Sequence, residues 1–223
     1  MHYLEIIKKI RQNNDSVILF HSATGKDSIM LCDLLSKFFN SILCVFMYLV
    51  KGLEYERKYI NWANSRYKNI TWLEIPHYCT SSFIRSGYLG INKDTTYPKI
   101  YLHKLDKLVR EKTNIDFSIY GFKKNDGLTR RLMLNRLNDG ISYTTNKAYP
   151  LMDLKNIDVL KYIKDNNLIN PFNYNTKKPS SGCDISQPLF LKYIKEKYPN
   201  DLQKIYEQYP MTEAILFNYE NNR

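Results

Sequence analysis

Residues 17–28, Val-Ile-Leu-Phe-His-Ser-Ala-Thr-Gly-Lys-Asp-Ser, constrain the fold more than any other stretch. An apolar, β-prone run from Val17 to His21 passes into seven small or polar residues with one glycine. An apolar pattern of helical period follows at Ile29, Leu31, Leu34, Leu35 and Phe38. That order is a strand, a tight loop and a helix N-terminus. The first N–H groups of such a helix have no intrahelical partner and its dipole puts partial positive charge there, so the junction holds an anion. Gly25 lets a ligand approach the backbone, Ser22, Thr24 and Ser28 offer hydroxyls, and Lys26 adds a full charge. Phosphate is the natural guest. Asp27 is the odd member, because in an anion site it must cap the helix, salt-bridge Lys26 or another base, or hold Mg²⁺ shared with phosphates. The metal or the cap is the expectation. The commoner loop G-x-x-x-x-G-K-S/T is excluded, since Phe20 stands at its first glycine and Asp27 follows Gly25-Lys26.

The remaining pattern alternates. Tyr3, Ile6, Ile7 and Ile10 predict an N-terminal helix over 2–13, and the near-continuous apolar run 42–49 predicts a strand covered on both faces. A helical stretch with Ile60, Ala63 and Tyr67 and a strand over 70–75 come next. Such alternation implies an α/β three-layer sandwich with a mainly parallel sheet. Residues 77–98 lack periodicity and read as a long loop. A helix over 100–112 and a short strand over 117–121 then lead to Gly121-Phe122-Lys123-Lys124-Asn125-Asp126-Gly127-Leu128-Thr129-Arg130-Arg131. Loops at the carboxyl ends of parallel strands gather round one crevice, so this basic turn faces the first loop, or else its charges are solvated. In the first case Lys123 and Arg130 neutralise phosphate or sulfate. Helical patterns past residue 184 predict a C-terminal helical extension, 185–223, packed on a nucleotide-binding domain of residues 1–184.

Four segments carry a family resemblance. Thr24-Gly25-Lys26-Asp27-Ser28 resembles the S-G-G-x-D-S loop of the PP-loop adenine nucleotide α-hydrolases, and Lys26 resembles the phosphoadenosine phosphosulfate (PAPS) reductase branch. Gly121, Lys123, Asp126, Gly127 and Arg130 follow the pattern of the family's G-x-R-x-x-E-S-x-x-R segment, with charge kept and residues changed. Gly52-Leu53-Glu54 is similar to D-T-G-L-E-F, with Val50-Lys51 in place of Asp-Thr. Pro150, Asp158-Val159 and Asn170-Pro171-Phe172-Asn173-Tyr174 resemble P-L-x-x-W, D-V-x-x-Y-I and N-P-L-Y, with Leu154 at the Trp.

The resemblance implies an enzyme that binds ATP or PAPS with Mg²⁺ and performs α–β phosphate cleavage, adenylyl transfer or sulfonucleotide chemistry. It implies Ser22, Thr24, Gly25, Lys26, Asp27 and Ser28 round the phosphates, with Asp27 on the metal. The backbone of Phe46, Met47 and Tyr48 is the adenine edge, and Gly121, Lys123 and Arg130 lie at the reacting group. The reductive members use a cysteine in an E-C-G-L-H motif, and Met211 to Arg223 contain none. Cluster-bearing relatives need about four cysteines with close pairs. Here Cys32, Cys44, Cys79 and Cys183 are far apart, so neither an iron–sulfur cluster nor zinc is expected. Cys183, near Lys177 and Lys178, is a nucleophile if those charges lower its pKa, or a structural thiol beside the site.

Thirty-three Lys and Arg against 22 Asp and Glu leave a net charge of +11, which favours polyanions. An AT-rich coding sequence would produce the same abundance of Lys, Asn, Ile and Tyr, so charge alone names no partner. Sulfur transfer to tRNA or DNA and a catalytically reduced nucleotide sensor are the alternative functions, and a protein partner or homodimer stays open. No apolar run has membrane-spanning length and residues 1–11 lack a signal-peptide layout, which makes the cytoplasm the expected location and a membrane no partner.

Overall fold

The computed structural model describes residues 2–22, 24–137, 139–175, 177–178 and 184–221. In chain order its elements are α1 (His2–Arg11), β1 (Ser16–His21), α2 (Lys26–Phe38), β2 (Ser41–Tyr48), α3 (Glu54–Arg66), β3 (Ile70–Pro76), α4 (Thr80–Ser86), α5 (Leu102–Thr113), β4 (Ser118–Tyr120), α6 (Leu128–Leu134), β5 (Ile141–Ser142), β6 (Lys147–Ala148), α7 (Asn156–Asp165), α8 (Pro188–Lys197), α9 (Pro199–Gln208) and α10 (Met211–Asn221). The strands form one sheet in the order β3-β2-β1-β4-β6-β5. Every neighbouring pair is parallel except β5 with β6. β1 lies between β2 and β4, so strand order reverses on either side of it and a crevice opens at its carboxyl end.

Alternation along β1 builds both faces. Val17 and Leu19 pack with α1, α2 and α7 side chains such as Ile6, Leu35 and Val159, whereas Ile18 and Phe20 point the other way, towards Val109 of α5 and Leu134 of α6. Both faces are therefore covered, and the three-layer α/β sandwich expected from the sequence is the observed architecture. Val17, Ile18 and Leu19 are wholly buried, each worth about 1.5–3 kcal/mol of transfer free energy.

Two segments differ from the sequence-based expectation. The supposed loop over 77–98 contains α4, a seven-residue helix that stops at Gly87 in the left-handed conformation (φ 71°). It is too short to show an apolar period. The β5–β6 hairpin extends the sheet by pairing β6 with β4, and strands of two residues carry no alternation to read.

α8, α9 and α10 share a separate apolar cluster, in which Phe190, Ile194, Ile205, Tyr209 and Leu216 meet Val50, Leu53 and Tyr55 from the β2–α3 junction. Polar ties fix the same contact. The fully buried Asp201 of α9 accepts hydrogen bonds from the backbone N–H of Glu54 (2.8 Å) and Tyr55 (3.2 Å), which caps α3 from outside its own chain segment. Lys204 Nζ donates to the Gly52 carbonyl at 2.7 Å, and Gln208 donates to that of Leu49 at 2.8 Å. No helix among the described residues is long and apolar enough to cross a membrane.

Candidate nucleotide site

The 22–28 loop sits at the carboxyl end of β1, where the sequence places it. Its geometry is held from within: Ser28 Oγ accepts from the Ser22 N–H at 3.0 Å and lies 3.0 Å from Ser22 Oγ. A Cβ on Gly25 would stand 2.7 Å from Ser22 Oγ, so a side chain there would displace that hydroxyl from its place beside Ser28 Oγ. Gly25 is the N-cap of α2 and no side chain caps the helix, which leaves the first-turn N–H groups for a ligand. Thr24, at the place of the first glycine of S-G-G-x-D-S, adopts φ 48°, a left-handed conformation that a β-branched residue reaches only under strain. Its hydroxyl is buried without a hydrogen-bond partner, and its carbonyl accepts from the N–H of Phe172 at 3.0 Å. That bond brings the Asn170-Pro171-Phe172 segment onto the loop.

Of the roles open to Asp27, the structure shows the salt bridge and not the cap. One carboxylate oxygen lies 2.8 Å from Lys26 Nζ and the other 2.6 Å from Lys123 Nζ. A carboxylate already shared by two ammonium groups is a poor donor for a resident cation, and no group of three His, Cys, Asp or Glu among the described residues is placed to hold a metal ion. Lys123 is correspondingly not an open oxyanion ligand. It is fully buried between Asp27 and Asp126, the latter at 3.2 Å. Asp126 also accepts the Lys123 N–H at 2.7 Å, so the spacing K-x-x-D builds the turn that carries the lysine. Gly121 has a packing reason: its Cβ would come within 3.0 Å of Asp27 Cβ.

Arg130 is arranged differently. Its guanidinium stacks on Phe122, 3.3 Å from the ring centroid, which fixes the fork without consuming its donors. It lines a cleft of about 300 Å³ together with Ser22, Asp27, Ser28, Gly121 and Met47. Of the proposed adenine edge, Phe46 is buried in the core and Tyr48 packs partly against it, whereas Met47 reaches the cleft. The β1–β2 register ends at His21↔Phe46 while β2–β3 continues to Tyr48↔Pro76, so Met47 and Tyr48 overhang the end of β1. Cys183, Lys177 and Lys178 were singled out together; the first lies outside the described residues, and the two lysines are exposed.

The sequence reading missed a second cleft of about 370 Å³ on the other side of Ser22 and Met47, lined by Glu56, His77, Cys79 and Asp184 among others. Glu56 is 5% exposed; the Tyr55 hydroxyl donates to it at 3.0 Å, and burial pushes its carboxyl up to about 8. Burial also lowers His77, and it pushes His21, bonded to the Tyr59 hydroxyl at 2.8 Å, down to about 3. Cys32 and Cys44 are buried core thiols, and a hydrogen bond with Cys32 followed by burial raises Cys44. Cys79 is the partly exposed one.

Among solved structures the chain is similar to the U34-tRNA thiolase NcsA from Methanococcus maripaludis with its 4Fe–4S cluster, at 17% identity and a TM-score of 0.47, over 99% of this chain and 78% of that one. No family model matches the sequence. No curated protein matches it either. The expectation that no iron–sulfur cluster is involved is withdrawn, because this structural neighbour carries one. The narrower likeness to the PAPS reductase family rests on the motifs alone.

Proposed function

We propose that the protein is an enzyme that binds an adenine nucleotide, ATP or PAPS, across the carboxyl end of β1, and acts at its phosphates by α–β cleavage, adenylyl transfer or sulfonucleotide chemistry. The observation that carries this reading is the convergence of the uncapped N-terminus of α2 and the stacked Arg130 on one cleft. Phosphate oxygens would take the free N–H groups of α2 and the two outward donors of Arg130. Lys26 would turn from Asp27 towards the same charge, while buried Lys123 keeps Asp27 neutralised. Met47 and the overhanging end of β2 would meet the base. A second reading, sulfur transfer to a nucleic-acid acceptor at the expense of the nucleotide, is supported by the net charge of +11.

The test is incubation with ATP and with PAPS, products being resolved by mass spectrometry beside Asp27→Asn and Arg130→Ala. AMP with pyrophosphate, or sulfite from PAPS, is expected, with Arg130→Ala slower by about 100-fold, the scale of one lost charge-stabilising donor, and Asp27→Asn slower through loss of the carboxylate that holds Lys26 and Lys123. A rise in melting temperature with neither product identifies a nucleotide sensor. Neither binding nor turnover overturns the reading.

A further inference from the structure

Arg130 faces two clefts. Besides the one at the phosphate loop it lines another of about 320 Å³, and the two share Tyr78, Leu102, Tyr120 and Phe122 as well. The floor of this outer cleft is aromatic. Tyr120, Phe122 and Tyr149 lie with centroids 5.1–5.9 Å apart and with interplanar angles of 35°, 27° and 23°, and Phe20 continues the stack beneath Tyr120 at 4.9 Å and 8°. Tyr120 and Tyr149 are only 3% and 6% exposed and Arg130 covers one face of Phe122, so the floor is packed apolar surface, and an open ring, that of Tyr101, stands at the rim.

The rim is cationic. Lys99 and Lys104 hold their ammonium groups 5.3 Å and 5.7 Å from the ring of Tyr101, which is 41% exposed. Among the described residues no carboxylate lines the cleft. Asp106, beneath it, is already shared by the Tyr120 hydroxyl (3.1 Å), Arg110 (3.5 Å) and Lys147 (3.3 Å). A bare anion would have no use for the rings, and a neutral apolar molecule none for the charges.

We propose that this outer cleft is the acceptor pocket and that it takes a nucleobase bearing a phosphate, with the base against the exposed ring of Tyr101 above the aromatic floor and the phosphate at Lys99. That chemistry is shared by a free mononucleotide and by a single-stranded nucleic acid. The assignment rests on the proposed nucleotide reading for what the acceptor faces across Arg130, and the pocket's own ligand is measured separately.

The probes are a fluorescein-labelled single-stranded oligonucleotide, as DNA and as RNA, and unlabelled AMP and UMP as competitors. Anisotropy is read with and without a saturating non-hydrolysable ATP analogue. Saturable binding that survives the analogue is expected. The double variant Lys99→Gln/Tyr101→Ala should weaken it about tenfold, the scale of one lost stacking contact and one lost charge. Lys197→Gln, which removes an exposed charge on α8, should leave it within about twofold. None of these variants should change the melting shift given by the analogue. Mononucleotides that compete as well as an unlabelled oligonucleotide assign the pocket to free nucleotides; an oligonucleotide that binds far more tightly assigns it to a nucleic-acid strand. No binding of either source, displacement by the analogue where neither AMP nor UMP competes, or equal loss in Lys197→Gln overturns the proposal. Absence of any melting shift with the analogue, while the probe still binds, overturns the nucleotide reading and leaves the pocket standing.

Discussion

Two aspartates on α2 receive opposite treatment. Asp33, 2% exposed, is closed in by the hydroxyls of Tyr67 (2.9 Å) and Tyr162 (2.6 Å), with Lys37 at 2.6 Å and Arg66 at 3.9 Å. Those phenols come from the end of α3 and from α7, so the carboxylate locks three helices together. Asp27, less than two turns earlier and 20% exposed, has two lysines and no hydroxyl. Fixed dipoles make a carboxylate structural. Lys26, on a flexible stem, can be drawn off by a stronger anion while buried Lys123 stays with Asp27, so the same residue type at the cleft end belongs to a charge set with one movable member. Lys26, Lys123 and Arg130 against Asp27 and Asp126 leave that end one positive charge in surplus.

The largest effect expected from this contrast is at Asp33. Asp33→Ala leaves the buried phenol of Tyr67, the half-buried phenol of Tyr162, Lys37 and Arg66 without their acceptor and should cost about 3–5 kcal/mol in urea denaturation. Nucleotide affinity of the folded fraction should not change; if it falls with stability, the division between a structural and a movable carboxylate fails. Glu56 sharpens the contrast as a third kind, a buried acid without a cation, since Arg57 is engaged bidentately by Glu74 at 2.6 and 2.7 Å. With its pKa raised from 4.5 to about 8, the native state holds the proton more tightly than the unfolded chain. Its contribution is complete below pH 4.5 and is lost as pH rises to 8. Glu56→Gln should therefore gain on the wild type between pH 5 and pH 8, by an amount on the order of a few kcal/mol, as read from paired denaturation curves. An unchanged difference across that range would show a solvated carboxyl. The smallest effect is at Thr24. Thr24→Gly should raise stability by about 1 kcal/mol by removing left-handed strain and a buried unpaired hydroxyl, and a loss would show that the threonine holds the loop.

The parallel sheet, its two covered faces and the position of the phosphate-type loop were legible because each rests on local signals: period, apolar runs and one strand–glycine–helix junction. Arg130 was legible through its motif. The inward turn of Lys123 was not, since spacing says which loops meet but not which charge faces which. Thr24 was visible as a departure from the motif, yet its backbone strain is a property of the folded loop. Glu56, His77 and Cys79 were missed because their cleft is made by segments distant in sequence, and α4, β5 and β6 because they are too short for any period.

On the proposed reading, Asp201 would give a nucleotide its direction. Two helices begin at the crevice, α2 after β1 and α3 after β2, and each would attract phosphate if left bare. The carboxylate from α9 already fills the second, so only one end of the crevice is electropositive. A dinucleotide-like or reversed pose, with phosphates over β2, would find the α3 N–H groups already taken by a carboxylate that Lys204 partners at 3.7 Å. The C-terminal helices thus act on polarity of binding from outside the cleft, through a single buried oxygen pair.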